Sequence, residues 1–306
     1  MTSQEMPFHP LIDTPLEVVF DTQASLQLEE TVKRWLWTGG TGGYIIGPAR
    51  IGKSFAVRRL VDRLRNRQQR RVPVIYTSIN RRDIKTIRGV FNNLCLSVNV
   101  PVSKSDSSDV LAARFVQHAL DLVSLYQTYQ IVLIVDEMQR LSLDQLYAFS
   151  EIFDAFETAR IRLMSVFVGN QNESNQLLDQ IHQSTNDHIY GRFFRQHTSF
   201  YGVQSESALR EILTQYDSFT YPDNGPSFTA YFLPRAVEQG WRFVNMASDI
   251  WRVYCDQFCQ EEESQLTMEI CRATLDILLM DFLPRLTVVH DYDDALITEA
   301  FYVAGI

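Results

Sequence analysis

The chain has 306 residues, of which 45% are hydrophobic and 21% are charged, and its formal net charge is −9. This composition is ordinary for a globular protein, and the acidic balance excludes a protein that binds nucleic acid with its whole surface. The sequence contains no apolar stretch of the length of a membrane span and no signal-peptide pattern, and its four cysteines form no CxxC pair. We therefore predict a cytoplasmic protein with no membrane contact.

Residues 1–43 are predicted to form an N-terminal arm, with a helix over 26–37 and a glycine-rich loop before a first strand at 43–46. The strand leads directly into Gly-Pro-Ala-Arg-Ile-Gly-Lys-Ser, the complete GxxxxGK(S/T) pattern of a phosphate-binding loop. Its two glycines let the backbone turn tightly, so that N–H groups at the start of the next helix face phosphate oxygens. Lys53 is expected to contact the β- and γ-phosphates, and Ser54 to ligate Mg²⁺. The predicted ATP-binding residues are Gly47, Pro48, Ala49, Arg50, Ile51, Gly52, Lys53, Ser54 and Phe55.

After this loop, strand patterns alternate with helical patterns. The predicted elements are a strand at 72–78, helices near 84–97 and 109–126, a strand at 131–136, a helix at 143–157, a strand at 162–168, a helix near 173–182 and a strand at 197–203. Because helical segments separate the strands, we expect parallel strands with right-handed crossovers. The predicted fold is α/β, with a five-stranded parallel sheet flanked by helices.

From residue 206 onward only helical patterns remain, near 206–216, 229–239, 241–258 and 265–283, and they predict a small all-α lid domain. The predicted boundaries are 1–43 for the arm, 44–204 for the α/β nucleotide-binding domain, 205–286 for the lid and 287–306 for a C-terminal tail. The tail is acidic and then apolar, which leaves two alternatives: a terminal helix docked on the lid, or a peptide offered to a partner.

The strand at 131–136 carries the second half of the site. Its apolar run Ile-Val-Leu-Ile-Val is rich in β-branched residues and suits a strand that is buried on both faces of a parallel sheet. Such a strand delivers Asp136 and Glu137 to its carboxyl end, where the ligands of open α/β sheets bind. Asp136 is expected to hold Mg²⁺ together with Ser54, and Glu137 to orient and deprotonate the attacking water. The two halves together predict an ATPase.

The five strands, the helical lid and the polar residue that ends the fourth strand together resemble the AAA+ ATPases. The resemblance implies that Asn170 is the sensor-1 residue, which positions the attacking water. It also implies an arginine finger for the neighbouring subunit, which is Arg192 or, as the alternative, Arg195. Gly-Trp-Arg at 240–242 resembles the sensor-2 signature, so Arg242 is expected to contact ATP. Because a bulky residue occupies the middle position of that signature, Arg235 is a second candidate.

Three segments, at 45–54, 135–139 and 167–170, are similar to those of the TniB/TnsC-type transposition regulators. This resemblance implies an ATP-dependent ring or filament on double-stranded DNA that connects a target-selection protein to a transposase, with slow, oligomer-dependent hydrolysis. In such rings the segment after the second strand faces the pore. The resemblance therefore implies phosphate contacts by the basic residues Arg81, Arg82, Lys85 and Lys104, the alternative being a solvated helix start.

Three other functions remain open from the sequence. They are another DNA-associated AAA+ ATPase such as a helicase loader or replication initiator, a nucleotide-dependent signalling or defence switch, and a nucleotide-gated scaffold with negligible turnover. The six histidines are scattered without metal-binding spacing, so Mg²⁺ is the metal ion we expect.

Overall fold

The computed structural model of the chain describes residues 9–15, 17–81, 85–183, 186–259 and 265–306. The chain divides into two compact units. The α/β unit comprises residues 25–200, and the helical unit comprises the described residues up to 24 together with 201–306. The segment predicted as an N-terminal arm, 1–43, is therefore divided between the two units.

The strands are β1 (Gly42–Gly47), β2 (Val74–Ser78), β3 (Gln130–Asp136), β4 (Arg162–Asn170) and β5 (His197–Ser199). The helices are α1 (Pro10–Asp13), α2 (Gln23–Trp37), α3 (Lys53–Arg63), α4 (Ile87–Ser97), α5 (Ser108–Leu125), α6 (Leu143–Thr158), α7 (Gln171–Ile181), α8 (Asp187–Ile189), α9 (Glu206–Ser218), α10 (Phe228–Phe232), α11 (Pro234–Glu238), α12 (Ala247–Gln257), α13 (Met268–Ile277) and α14 (Asp294–Ala304).

The five strands form one sheet in the order β2-β3-β4-β1-β5, and every pairing between them is parallel. The predicted five-stranded parallel sheet is thus confirmed. In the register of the sheet, Gly47 at the end of β1 lies opposite Asn170 at the end of β4, and Ser78 lies opposite Asp136. The carboxyl ends of four neighbouring strands therefore meet at one edge, which is where ligands of open α/β sheets bind.

Helices cover both faces of the sheet, and this explains the apolar sequence of its central strands. The residues 131–135 of β3 are at most 1% exposed. The side chains of Ile131, Leu133 and Val135 belong to a core that α4, α5 and α6 complete, with aromatic rings such as Phe115 and Phe149 at its centre. A strand that is buried on both faces cannot alternate apolar with polar residues, as β3 illustrates.

Three strand boundaries differ from the prediction by two residues or more, and one of them is the end of β4, at Asn170 instead of 168. The strand β2 begins at Val74, two residues later than predicted, directly after a proline that has no N–H to donate to a ladder. The strand β5 ends at Ser199 instead of 203, and the chain enters the helical unit at residue 201.

The helical unit has its own core, which includes Tyr216, Phe243 and Phe301. The helix predicted at 229–239 was wrong: it is interrupted before Pro234, which starts α11, because proline restricts the residue before it to extended conformations. The helix predicted at 241–258 begins only after a 3₁₀ turn, Phe243–Met246. Within the described part of the chain, no helix is both long and apolar enough to cross a bilayer.

The C-terminal tail is a helix. An aspartate, Asp293, caps the N-terminus of α14, and the buried side chains of Ile297 and Phe301 belong to the core of the helical unit. An ion pair between Arg252 and Asp294 joins α12 to the first turn of α14 at 2.7 Å. Of the two alternatives for the tail, the docked helix is therefore confirmed.

Candidate active site

Two glycines bound the loop between β1 and α3, for different physical reasons. Gly52 lies immediately before α3 and has a φ of +95°. This is a left-handed conformation, which glycine adopts without steric cost. At Gly47 a Cβ atom would overlap the carbonyl oxygen of Phe200, the residue that follows the neighbouring strand β5. The sequence pattern predicted a tight turn at both glycines. This is correct for Gly52, whereas Gly47 is required by the close approach of another backbone.

The middle of the loop has one buried residue, and the three residues before it are exposed to solvent. Ile51 is 1% exposed and anchors the loop in the α/β unit, while Pro48, Ala49 and Arg50 are exposed. The Lys53 ammonium donates to the carbonyl oxygen of Gly47 at 2.8 Å and also to that of Pro48. The Lys53 side chain therefore extends back over the loop that precedes it in the chain.

The electrostatics link Lys53 to the acidic end of β3. Burial lowers the pKa of Lys53, and the negative charges of Asp136, Glu137 and Glu173 act in the opposite direction. The half-buried Ser54 follows in the first turn of α3. The two halves predicted from the sequence thus lie in one site.

Asp136 is held by a donor on each of its carboxylate oxygens. The side chain is 3% exposed. Its Oδ1 accepts the backbone N–H of Glu137 at 2.9 Å, and its Oδ2 accepts the hydroxyl of Tyr76 at 2.6 Å. The Arg58 guanidinium lies over the Tyr76 ring, 4.7 Å from its centroid. Burial, followed by the hydrogen bond to Asp136, raises the pKa of Tyr76 to about 12, so the hydroxyl stays a donor at neutral pH.

Tyr76 was missed by the sequence analysis. The signal that could have found it is the register of the sheet, because Tyr76 lies two residues before Ser78, the partner of Asp136. Alternate residues of a strand share one face, so Tyr76 and Ser78 lie on the same face of the sheet. Finding the contact from sequence would have required knowing that β2 and β3 are neighbours.

Glu137 has an unusual backbone conformation for a residue with a side chain. Its φ of +62° and ψ of +41° lie in the left-handed region, which costs non-glycine residues about 1–3 kcal/mol and is concentrated at functional sites. Its Oε2 accepts from Gln139 Nε2 at 2.9 Å and forms an ion pair with Arg140 at 2.9 Å. Neither contact was predicted from the sequence.

Gln139 and Arg140 connect Glu137 to the neighbouring strands. Gln139 Oε1 accepts the N–H of Asn170 at 3.2 Å, and Arg140 donates to the carbonyl oxygen of Ile79, just after β2, at 2.9 Å. Asn170 itself caps α7, since its Oδ1 accepts from the N–H groups of the first turn, Asn172 and Glu173. The cap orients the amide and leaves its Nδ2 without a partner among the described residues.

The donor set suits Mg²⁺ that arrives with a nucleotide. Magnesium in phosphate-transfer sites is commonly bound by one or two carboxylates together with phosphate oxygens and water. Asp136 supplies one carboxylate whose oxygens each carry only one protein donor, which leaves lone pairs for a metal ion or its water. Among the residues that the structure describes, no group of three His, Cys, Asp or Glu side chains could hold a metal alone. Ser54 and Asp136 therefore fit magnesium only in company with phosphates.

Comparison with known families identifies this unit. Residues 38–178, from the loop before β1 into α7, match the family model described as AAA domain. The match includes the phosphate-binding loop, the acidic end of β3 and Asn170. Residues 38–178 form an AAA+ domain. Comparison with curated proteins finds no match.

Several solved structures are similar to this chain at low sequence identity. The Cdc6p protein of Pyrobaculum aerophilum is 16% identical, with a TM-score of 0.43 over 85% of this chain and 67% of that chain. The Orc1 protein of Aeropyrum pernix, in complex with DNA, is 16% identical, with a TM-score of 0.43 over 96% of this chain and 80% of that chain. The Drosophila ORC bound to DNA is 12% identical, with a TM-score of 0.50 over 87% of this chain and 62% of that chain. At such identities the likeness is one of fold.

The two candidate arginine fingers of the α/β unit have different surroundings, and both lie beyond the segment that matches the AAA domain. Arg192 forms an ion pair with Asp154 at 2.9 Å, and its guanidinium lies 4.9 Å from the centroid of the Phe153 ring. Its carbonyl oxygen also accepts the Thr41 hydroxyl at 2.6 Å. Arg195 has an exposed side chain without a partner in the described part of the chain.

The candidate sensor-2 arginines lie in the helical unit, outside the AAA+ match. The Arg242 guanidinium donates to the carbonyl oxygens of Val237 at 3.2 Å and Trp241 at 2.8 Å. The segment does not open a helix directly as expected: Trp241 is 2% exposed and serves as a core residue, and a 3₁₀ turn follows Arg242. Arg235, in α11, is exposed.

The residues implied in DNA binding lie around the start of α4. Arg81, Lys85 and Lys104 are exposed, and Arg82 lies outside the described residues. Lys85 Nζ also donates to the carbonyl oxygen of Leu141 at 3.3 Å. The Arg88 guanidinium donates to three backbone carbonyls of the polar linker 103–106, at 2.8–3.1 Å. Arg88 thus fixes the linker that carries Lys104 beside the start of α4.

Proposed function

We propose that this protein is an ATPase that forms an ATP-dependent oligomer on double-stranded DNA and regulates DNA transposition. The observation that carries the ATPase is the convergence of Lys53, Asp136, Glu137 and Asn170 at the carboxyl ends of β1, β3 and β4 in an AAA+ domain. The transposition role rests on the resemblance to TniB/TnsC-type regulators in the phosphate-binding loop and at the ends of β3 and β4.

ATP binding follows from the loop. The N–H groups at the start of α3 face the phosphates, and the helix dipole favours their negative charge. Lys53 exchanges the carbonyls of Gly47 and Pro48 for phosphate oxygens. Ser54 and Asp136 would hold Mg²⁺, which would neutralise charge on the phosphates.

Hydrolysis requires a base beside the γ-phosphate. Glu137 takes a proton from the attacking water as the water oxygen bonds to the γ-phosphorus, and the bond to the bridging oxygen breaks so that its electron pair leaves with ADP. To do so, the Glu137 carboxylate exchanges its contacts with Gln139 and Arg140 for the water. Asn170 supports the water through Nδ2, since its Oδ1 is committed to the cap of α7.

We assign the arginine finger to Arg195. A finger has to reach the γ-phosphate of a neighbouring subunit, where it stabilises charge in the transition state. The exposed Arg195 side chain supports this assignment, whereas Arg192 is already neutralised by Asp154. Because the finger of one subunit contacts ATP bound to the next, the assembly should form when ATP is bound and dissociate after hydrolysis.

DNA contact is assigned to Arg81, Lys85 and Lys104, with Arg82 as a further candidate. The linker held by Arg88 supports the grouping, because it keeps Lys104 near the start of α4. The Drosophila ORC, which shares the fold, is bound to DNA in its structure. A local basic surface is compatible with a net charge of −9, because contacts to phosphates depend on the local field.

The test is binding of duplex DNA in the presence of a non-hydrolysable ATP analogue. Substitution of Arg81, Lys85 and Lys104 by Ala should weaken binding and lower the slope of log affinity against log salt by about 0.9 for each lost phosphate contact. The matched control substitutes Arg67 and Arg160, which are exposed arginines elsewhere on the α/β unit. Equal losses of DNA affinity in the two variants would contradict the assignment of DNA binding to this surface.

A second candidate function is that of a replication initiator or helicase loader, which the fold shared with Drosophila ORC favours. The two functions differ in the protein that the DNA-bound oligomer recruits. The transposition role predicts that a transposase inserts donor DNA beside the assembled Glu137→Gln protein. Loading of a replicative helicase, without any effect on insertion, would favour the second candidate.

A further inference from the structure

Tyr76 contacts Asp136, a candidate magnesium ligand, through one short hydrogen bond. Its hydroxyl donates to Asp136 Oδ2 at 2.6 Å, from β2 to the neighbouring strand β3. The acceptor is a buried carboxylate, and its other oxygen is held by the backbone N–H of Glu137. Without the hydroxyl, Oδ2 would lose its only side-chain donor among the described residues, and the carboxylate could rotate.

We propose that Tyr76 is a positioning residue for magnesium: its hydroxyl holds the Asp136 carboxylate in the orientation that binds Mg²⁺ with ATP. This inference rests on the proposed ATPase function and adds a residue that acts on the metal through Asp136. Partners of metal-binding carboxylates typically change metal affinity by about 10–100-fold when they are removed. The gain comes from pre-organisation, because a carboxylate that is already oriented loses less freedom on binding.

The ring of Tyr76 extends the connection to the phosphate-binding loop. Arg58 lies over the ring at 4.7 Å, and Arg58 belongs to α3, the helix whose first turn carries Lys53 and Ser54. The second candidate magnesium ligand, Ser54, is therefore tied to Asp136 through a helix, a cation–π contact and a hydrogen bond. A contact of this kind between an exposed arginine and an aromatic ring contributes about 0.5–1 kcal/mol.

The test separates the hydroxyl from the ring. Tyr76→Phe keeps the ring and its contact with Arg58 but removes the donor to Asp136. We would titrate Mg²⁺ into the protein with a fluorescent, non-hydrolysable ATP analogue, and measure analogue affinity in a chelator as the magnesium-free reference. The Mg²⁺ concentration for half-maximal binding should rise about tenfold in Tyr76→Phe. Analogue affinity in the chelator should equal that of the parent.

The matched control is Tyr44→Phe. Tyr44 is a buried tyrosine of β1 in the same sheet, and its hydroxyl has no hydrogen-bond partner among the described residues. This variant should keep the Mg²⁺ dependence of the parent. A second variant, Arg58→Ala, changes an exposed side chain and is expected to fold; it should shift the Mg²⁺ dependence in the same direction by about two- to fivefold.

The outcomes separate the two proposals. Suppose that Mg²⁺ strengthens analogue binding by the parent, and that Tyr76→Phe and Arg58→Ala need the same Mg²⁺ concentration for half-maximal binding as the parent. The proposed role of Tyr76 is then wrong, and the ATPase proposal stands. An equal shift in Tyr44→Phe would also overturn it, because the effect would then follow from loss of any buried hydroxyl. If magnesium does not strengthen analogue binding in the parent, both proposals are wrong.

Discussion

The substitution Glu137→Gln removes the proposed base and little else. The glutamine side chain has the same shape, and its amide oxygen can still accept from Gln139. The ion pair with Arg140 is lost, but the two side chains are 30% and 38% exposed, so the loss should cost less than about 1 kcal/mol of stability. The left-handed backbone at 137 is equally demanding for glutamine, so the fold and the loop should be retained.

We expect turnover to fall about 10²–10⁴-fold, the usual contribution of a positioned base. This corresponds to roughly 3–5 kcal/mol in the activation barrier, at about 1.36 kcal/mol for each factor of ten. The assay is phosphate release in a single turnover, alongside binding of a fluorescent ATP analogue. Analogue affinity should equal that of the parent, because Lys53 and the loop are untouched.

The control for this prediction is Arg140→Ala, which removes the same ion pair but keeps the base. It should stay within about tenfold of the parent in phosphate release, since it loses an exposed ion pair and one hydrogen bond to the carbonyl oxygen of Ile79 but keeps the carboxylate. The reasoning is refuted if Glu137→Gln hydrolyses ATP at a rate close to that of the parent. It is equally refuted if Arg140→Ala falls as far as Glu137→Gln, because the ion pair would then account for the loss.

Three further predictions concern stability. Gly42→Ala should destabilise the protein by about 1–3 kcal/mol in urea unfolding, because a Cβ atom would lie 2.8–3.0 Å from backbone atoms of neighbouring segments. Gly191→Ala is its control, with nothing within 4 Å, and equal losses would contradict the argument. Burial lowers the pKa of His9, so the unfolded chain binds more protons and stability should fall as the pH drops below about 6.5. His9→Asn, which retains a helix cap, should lose less melting temperature on acidification than the parent, and equal losses would contradict this. Arg272→Ala should cost about 3 kcal/mol, because it leaves the largely buried Asp276 carboxylate, an ion-pair partner at 3.4 Å, without a cation. A loss below about 1 kcal/mol would mean that Asp276 is solvated or protonated in the folded state.

The features that the sequence predicted well are those with a local pattern. The uninterrupted apolar run before Asp136 is sufficient to predict a buried parallel strand, because burial on both faces excludes polar residues. The phosphate-binding loop is recognisable for the same reason, since the requirements at Gly52 and Lys53 are met within a few residues of chain. Both features were found where the sequence placed them.

The features that the sequence did not predict depend on contacts between distant segments. Tyr76 reaches Asp136 across 60 positions of sequence, and Arg192 contacts Asp154 although β4, α7 and α8 lie between them in the chain. Gly47 is needed because Phe200 approaches it, which no local pattern expresses. The break before Pro234 was available from the sequence, since proline disfavours a helical residue before it, and was missed because the apolar spacing continues through it.

The central claim is that ATP held by the phosphate-binding loop is sensed by a neighbouring subunit. The direct measurement is the mass of the purified protein in solution with a non-hydrolysable ATP analogue, with ADP and without nucleotide. We expect an oligomer with the analogue, a smaller species with ADP, and failure of Arg195→Ala to assemble even with the analogue. A protein that stays monomeric in all three conditions would contradict the claim.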